Sequence, residues 1–252
     1  MGVFAAGPGL GMADARQLSD KKPHKGVAAA HSMPVQGIDV SYYQGDIDWR
    51  KVRDAGIQFA YIKATEGGDR FDEKFLDNWR AAKKAGVARG AYHFMYWCRP
   101  ASEQAAWYKA HVPQDDSALP PVLDVEWTTH SKTCARRIPR AAALAKIKVM
   151  LKALEAHSGK RPVIYTDPKF HRDVLEGEFT DYHFWLRSVA AKPEEIYSAR
   201  DWAFWQFTTT GRVRGVAGPV DRNVFYGTRA DWKTVLKEKC LCATATSTSS
   251  NE

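Results

Sequence analysis

No stretch of the 252 residues stays apolar for the length a membrane crossing needs, so no integral membrane segment is expected. Cysteine is scarce, with four residues, and a chain of this length does not need a disulfide framework to fold. Metal chemistry is thin for the same reason. Cys240 and Cys242 stand two apart at a Ser/Thr-rich tail with no further Cys or His nearby, so no metal and no cofactor is assigned and the role of these two thiols stays open. A clear export signal is missing too. Residues 1–15 hold small apolar residues and an Ala13-Asp14-Ala15 that resembles a cleavage site, but no basic start and no firm apolar centre. No nucleic-acid recognition motif occurs either.

What the chain does have is positive charge and aromatic rings. A formal charge of +8 favours an anionic partner: nucleic acid, an anionic membrane or a bacterial wall. Nine Trp, ten Tyr and eleven Phe supply the flat faces that proteins offer to sugars and nucleobases. Residues 1–33 show no usable periodicity and read as a leader or extension, and 240–252 as a disordered tail, leaving one barrel domain over 34–239.

Within that domain strands and helices alternate. Residues 37–41, 58–64, 89–96, 120–127 and 162–165 read as strands. Helices follow each: one capped by Asp48, one over 72–85 closed by Gly86, one capped by Ser102, one over 138–157 and one over 168–175. After five such units the pattern changes, since 183–189, 202–207 and 220–225 read as strands joined by segments with little helix, before a last helix over 228–239. Eight mostly parallel strands point to a closed α/β barrel, an irregular TIM-like (β/α)5 followed by β3. Chemistry in such barrels sits at the carboxyl ends of the strands.

The stretch Pro120–Trp127, PPVLDVEW, carries the strongest local signal. Residues i and i+2 of a strand share a face, so Asp124 and Glu126 present two carboxylates on one surface, roughly 6–7 Å apart at their Cα atoms. An isolated D-x-E is more often a solvated edge. Here the apolar run before it and Trp127 after it argue for burial, and hence for a site. Asp39 ends the first strand and Asp221 begins the last, so four acids from three distant stretches converge on one mouth. Tyr92, Tyr165, Trp205 and Gln206 stand at other strand ends as an aromatic wall with an amide, a sugar-binding arrangement as a set, although each ring alone reads equally as core. His93 alternates away from Tyr92 and reads as a core residue. Clustered carboxylates serve either a divalent metal or acid catalysis on a glycosidic bond, and the aromatics favour the sugar.

These segments resemble glycoside hydrolase family 25, the muramidase-type lysozymes. The resemblance rests on GIDVSYYQG at Gly37–Gly45, IDW at Ile47–Trp49, IKATEG at Ile62–Gly67, GAYHF at Gly90–Phe94, PVLDVE at Pro121–Glu126, PVIYT at Pro162–Thr166, WQF at Trp205–Phe207 and VDRNVF at Val220–Phe225. It implies a cofactor-free hydrolase of the β-1,4 bond between N-acetylmuramic acid and N-acetylglucosamine in peptidoglycan. It also implies Glu126 as proton donor, Asp124 as its partner, and Asp39 and Asp221 completing the acidic cluster. The expected partner is the peptidoglycan glycan strand, the expected location secreted or cell-envelope, and the expected state a monomer. The alternatives are a non-catalytic wall-binding protein that kept the cleft, a chitinase-like hydrolase, and a nucleic-acid binder, whose phosphates the acidic mouth would repel. Cys98 and Cys134, placed after neighbouring strands, are expected to form a disulfide, and the basic loop with Lys132, Arg136, Arg137 and Arg140 to hold an anionic wall.

Overall fold

The structure, a computed structural model, describes residues 24–129, 131–197, 200–238 and 241. Its sheet has nine strands: β1 (Gln36–Val40), β2 (Ile57–Glu66), β3 (Arg70–Phe71), β4 (Ala88–Phe94), β5 (Val122–Val125), β6 (Val163–Thr166), β7 (His183–Arg187), β8 (Phe204–Gly211) and β9 (Val220–Phe225). The order runs β1-β9-β8-β7-β6-β5-β4-β2, and β1 pairs with β2, which closes eight strands into a barrel. β3 is a short antiparallel turn-back on β2, unforeseen from sequence. Only β9 runs against its barrel neighbours, β8 and β1. The five helices expected after β1, β2, β4, β5 and β6 are present, so the (β/α)5β3 form holds.

Period-two alternation explains the two layers of core. In β2, Phe59 and Tyr61 point into the barrel, where they join Val122, Val163, Tyr165, Trp185, Phe204 and Phe225. Ala60, Ile62 and Ala64 point outward and pack under the helices with Ile147, Leu151 and Leu154 of the Arg140–Ser158 helix. The interior is tight enough to require glycine twice. A Cβ on Gly37 would lie 2.3 Å from the Phe59 ring, and one on Gly90 2.3 Å from the Tyr61 ring. Trp232 and Val235 of the Arg229–Glu238 helix belong to this same interior cluster.

Local signals behaved unequally. Asp48 caps the Trp49–Asp54 helix, accepting from the Lys51 amide at 3.1 Å, as expected. Ser102 does not cap: the next helix, Ala101–His111, follows Pro100 directly and takes Ser102 into its first turn. Cys98 and Cys134 form the expected disulfide, Cα atoms 5.7 Å apart, joining the loops after β4 and β5. Cys240 and Cys242 lie outside the described residues.

The described fold also reaches past the expected boundaries of 34 and 239. Lys25–Val27 and Ala28–Ser32 form short helical turns whose Val27 and Ala30 are fully buried against Trp205, Phe207 and Val224. Leu241 is buried with Trp232 and Val235. Among the described residues, no helix is long and apolar enough to cross a membrane.

Candidate active site

The carboxyl ends of the parallel strands surround a cleft of about 250 Å³. Asp39, Asp124, Glu126 and Asp221 all line it, together with Tyr92, Tyr165 and Gln206, so seven of the eight expected site residues meet there. Trp205 does not. It shares its outward face of β8 with Phe207, lies buried under the 25–32 segment, and donates its indole N–H to the Ser188 carbonyl at 2.7 Å. The reason is alternation: Gln206 turns into the barrel, so its chain neighbour must turn out. The ring that lines the cleft instead is Trp185 of β7, stacked on Tyr61 with centroids 5.0 Å apart and edge-on to Tyr165 at 4.6 Å. His93 is buried outside the barrel wall, between Thr65 (2.8 Å) and Gln104 (3.2 Å), and burial pushes its pKa down to about 4.

Asp39 and Asp221 are directly paired across β1 and β9 and hydrogen-bond to each other. Two amides converge on Asp39: Gln206 Nε2 at 2.9 Å and Asn223 Nδ2 at 2.8 Å. Each amide is itself oriented, because Tyr165 donates to the Gln206 carbonyl oxygen and Trp185 to that of Asn223, both at 2.8 Å. Burial raises the pKa of both acids, against these bonds in the case of Asp39. Burial first, then the charge of Asp39, pushes Asp221 up to about 9. With two amide donors on Asp39, the shared proton belongs on Asp221, which donates it to Asp39.

The other pair is less well satisfied. Asp124 is the third residue of β5, 7 % exposed, and its Oδ1 has no hydrogen-bond partner among the described residues. Burial and then the charge of Glu126 hold it well above the usual carboxylate range, with Lys63 pulling the other way. Glu126 follows the strand, and the Trp97 indole fixes its backbone by donating to its carbonyl oxygen at 2.6 Å. Burial and then the charge of Asp167 raise the Glu126 side chain to about 7, while Arg187 opposes the rise. One carboxyl able to carry a proton near neutrality beside a second buried carboxyl is the equipment of acid catalysis. Among the described residues, no group of three or more His, Cys, Asp or Glu side chains forms a metal site.

The family model for glycosyl hydrolases family 25 matches residues 38–216 of this sequence. The chain belongs to that family. Lysozyme M1 of Streptomyces globisporus is 34% identical over 233 residues, which is 88% of this chain and 78% of the relative. Among solved structures, a family 25 glycosyl hydrolase from Bacillus anthracis superposes with a TM-score of 0.77 at 34% identity, covering 86% of this chain and 98% of its own. The bacterial lysozyme from Streptomyces coelicolor gives 0.72 at 34% identity, covering 82% and 99%.

The protein is thus a glycoside hydrolase, and its family 25 cleft contains groups that sequence reasoning passed over. Trp185 and Arg187 share the inward face of β7, and this pair was legible from the period of the strand. Asn223 stands two residues after Asp221 in VDRN and points inward with it. Lys63, inside the IKATEG segment, bonds Glu66 at 2.5 Å beside the cleft. Asp167 follows PVIYT directly and reads locally as nothing more than a helix cap.

Proposed function

We propose that this protein is a muramidase that hydrolyses the β-1,4 bond between N-acetylmuramic acid and N-acetylglucosamine in peptidoglycan, with Glu126 as general acid and Asp124 assisting. The observation that carries the reading is the Asp124/Glu126 pair: one carboxyl held protonated near neutral pH, beside one whose free oxygen faces no partner in the protein. Relatives named lysozyme and N,O-diacetylmuramidase support the same substrate. So does the shape of the surface. The cleft shares Tyr43 and Lys63 with a groove of about 430 Å³ running over Glu66, Arg70 and Phe71, and Tyr43 is 75 % exposed, which suits a polymer rather than a small sugar.

Glu126 protonates the leaving glycosidic oxygen. The 2-acetamido oxygen of the substrate attacks the anomeric carbon as the glycosidic C–O bond breaks, while Asp124 Oδ1 accepts from its N–H and stabilises the positive charge that develops. Water then adds at the anomeric carbon, giving a proton back to the Glu126 carboxylate and releasing the acetamido group. A carboxylate strained by burial in the empty cleft is relieved when that charge appears, so its interaction is strongest in the transition state. Asp39 and Asp221, bound to each other and to two amides, serve to hold the cleft in shape rather than to activate water. The substrate places the protein outside the cell or in the cell envelope. A monomer with a barrel core from about residue 34 to 239 suffices for this chemistry.

Mass spectrometry of soluble fragments from digested peptidoglycan tests the bond: reducing-end muramic acid is expected. Reducing-end N-acetylglucosamine, chitin cleavage alone, or binding without release of sugar would each replace this reading.

A further inference from the structure

Asp167 has a structural duty that does not require a charge. Its Oδ1 accepts from the Phe170 amide at 2.6 Å and caps the turn that begins at Pro168. Asn, Ser or Thr would do the same, since all are good N-caps. What none of them would bring is a negative charge one strand away from Glu126. The register fixes that neighbourhood: Val125 of β5 is paired with Thr166 of β6, so the residues that follow, Glu126 and Asp167, leave the barrel rim side by side. Their side chains lie close enough for the charge of Asp167 to act on Glu126.

Both partners are anchored independently. The Trp97 indole pins the Glu126 carbonyl. Phe170, buried under the capped turn, stacks on that same Trp97 with centroids 5.0 Å apart and meets Trp127 edge-on at 4.8 Å. One aromatic cluster therefore sets the spacing of the two carboxyl groups, and neither can swing away without disturbing it.

We propose that Asp167 is a positioning residue for the catalytic acid, whose fixed negative charge keeps the proton on Glu126 until the glycosidic oxygen takes it. The inference rests on the reading of Glu126 as that acid. Other charged groups face Glu126 from the surrounding strands. Asp124 lies two residues before it on β5, Asp39 on β1 adds negative charge, Asp221 on β9 carries the proton it shares with Asp39, and Arg187 on β7 opposes the acids. Lys63 of β2 acts on Asp124, and the hydroxyls of Tyr165 and Tyr197 complete the surround. After burial, Asp167 is the largest influence on Glu126 among these. It also differs from them in place: it stands on the helix side of the rim, half-buried.

The test compares Asp167→Asn and Asp167→Ser with the unaltered protein. Both keep the cap, so Tm should hold. Carbon-13 NMR titration of the Glu126 carboxyl should move to lower pH by about one unit in each variant, because a like charge on the neighbouring strand end has been removed. On soluble peptidoglycan fragments, the alkaline limb of the kcat–pH profile should move down by the same amount, with the acid limb in place. An unmoved Glu126 titration in both variants overturns the proposal and leaves Asp167 as a cap only. A shifted titration together with an unmoved alkaline limb also overturns it, since Glu126 would then not be the group that limits the rate. If the protein releases no sugar at all, the NMR titration still reports on Asp167 while the muramidase reading fails by itself.

Discussion

Asp39 and Asp221 approach from antiparallel neighbours and close on each other, with two amides and two aromatic donors locking them in place. Asp124 and Glu126 come from a single strand, point the same way, and share no such lock; one Asp124 oxygen has no hydrogen-bond partner among the described residues. Each pair has one buried and one half-buried member, and all four acids are raised above the ordinary carboxylate range. The difference lies in where the strain is discharged. In the first pair it is absorbed inside the protein by a shared proton and neutral donors. In the second it is left for a ligand.

The sharpest way to break this contrast is to neutralise one member of each pair. Glu126→Gln should lower the hydrolysis rate by roughly 10⁴-fold, the upper range for loss of a general acid, while binding of glycan fragments persists. Binding measured by calorimetry beside a rate assay checks both halves. Asp124→Asn should cost roughly 10²–10³-fold in kcat, the scale of a lost electrostatic stabiliser, with product of retained anomeric configuration. NMR of the first-formed anomer decides this, and an inverted product would move the catalytic weight to Asp39 or Asp221.

Effects away from the reacting bond should be smaller. Replacing Cys98 and Cys134 together by Ser opens a loop of 36 residues beside the reactive pair and should lower stability by roughly 3–4 kcal/mol on the chain-entropy account. Urea unfolding of the two forms measures it. For Asp221 the sign is opposite. Its pKa is about 9 in the fold against 3.8 ordinarily, so the folded state holds the extra proton between those values and stability falls as pH rises through that window. Asp221→Asn keeps a donor toward Asp39 but removes the ionisation, so the decline of Tm from pH 4 to 9 should flatten and Tm at pH 7 should rise by roughly 2–4 °C. A Tm that falls at pH 7 would show that the carboxyl itself, not merely a donor, is needed there.

The smallest expected effect concerns the basic loop after β5. Arg140 bonds Glu178 at 2.8 Å, and Arg137 lies over the Trp127 ring and 3.8 Å from Asp173, so these two are engaged within the protein. Lys132 and Arg136 are exposed. Changing only these two to Gln should weaken wall binding at low salt and leave it nearly unchanged at high salt, where screening acts within about 8 Å. A sedimentation assay at two ionic strengths reads the difference.

Legibility followed physical range. The barrel, its five β/α units and the convergence of four acids could be read because hydrophobic alternation and turn residues act within a few positions. The same rule, applied strictly, would have placed Trp205 outside and Trp185 inside, since Gln206 had already been turned inward. Asn223 acts through its contact with Asp39 between β9 and β1, and such cross-strand pairing is set by closure of the barrel rather than by any local pattern. Asp167 was hidden by a second role: a capping residue before Pro looks complete without a catalytic neighbour. The β3 turn-back and the packed 25–32 segment were missed because two residues, and two helical turns of three and five residues, are too short to show a period.

The 25–32 segment precedes the stretch shared with the family, which starts at residue 38, yet it shields the outer aromatic face of β8. Gly26 runs so close to the Ala190 carbonyl oxygen that a Cβ would come within 2.0 Å of it, which shows how firmly this strap is seated. A recombinant version shortened to begin at residue 34 would leave the catalytic cleft untouched and still strip Val27 and Ala30 from Trp205 and Phe207. The uncovered rings would form a greasy patch on the back of the enzyme, and the outcome would be clumping during purification by a protein whose active centre is intact.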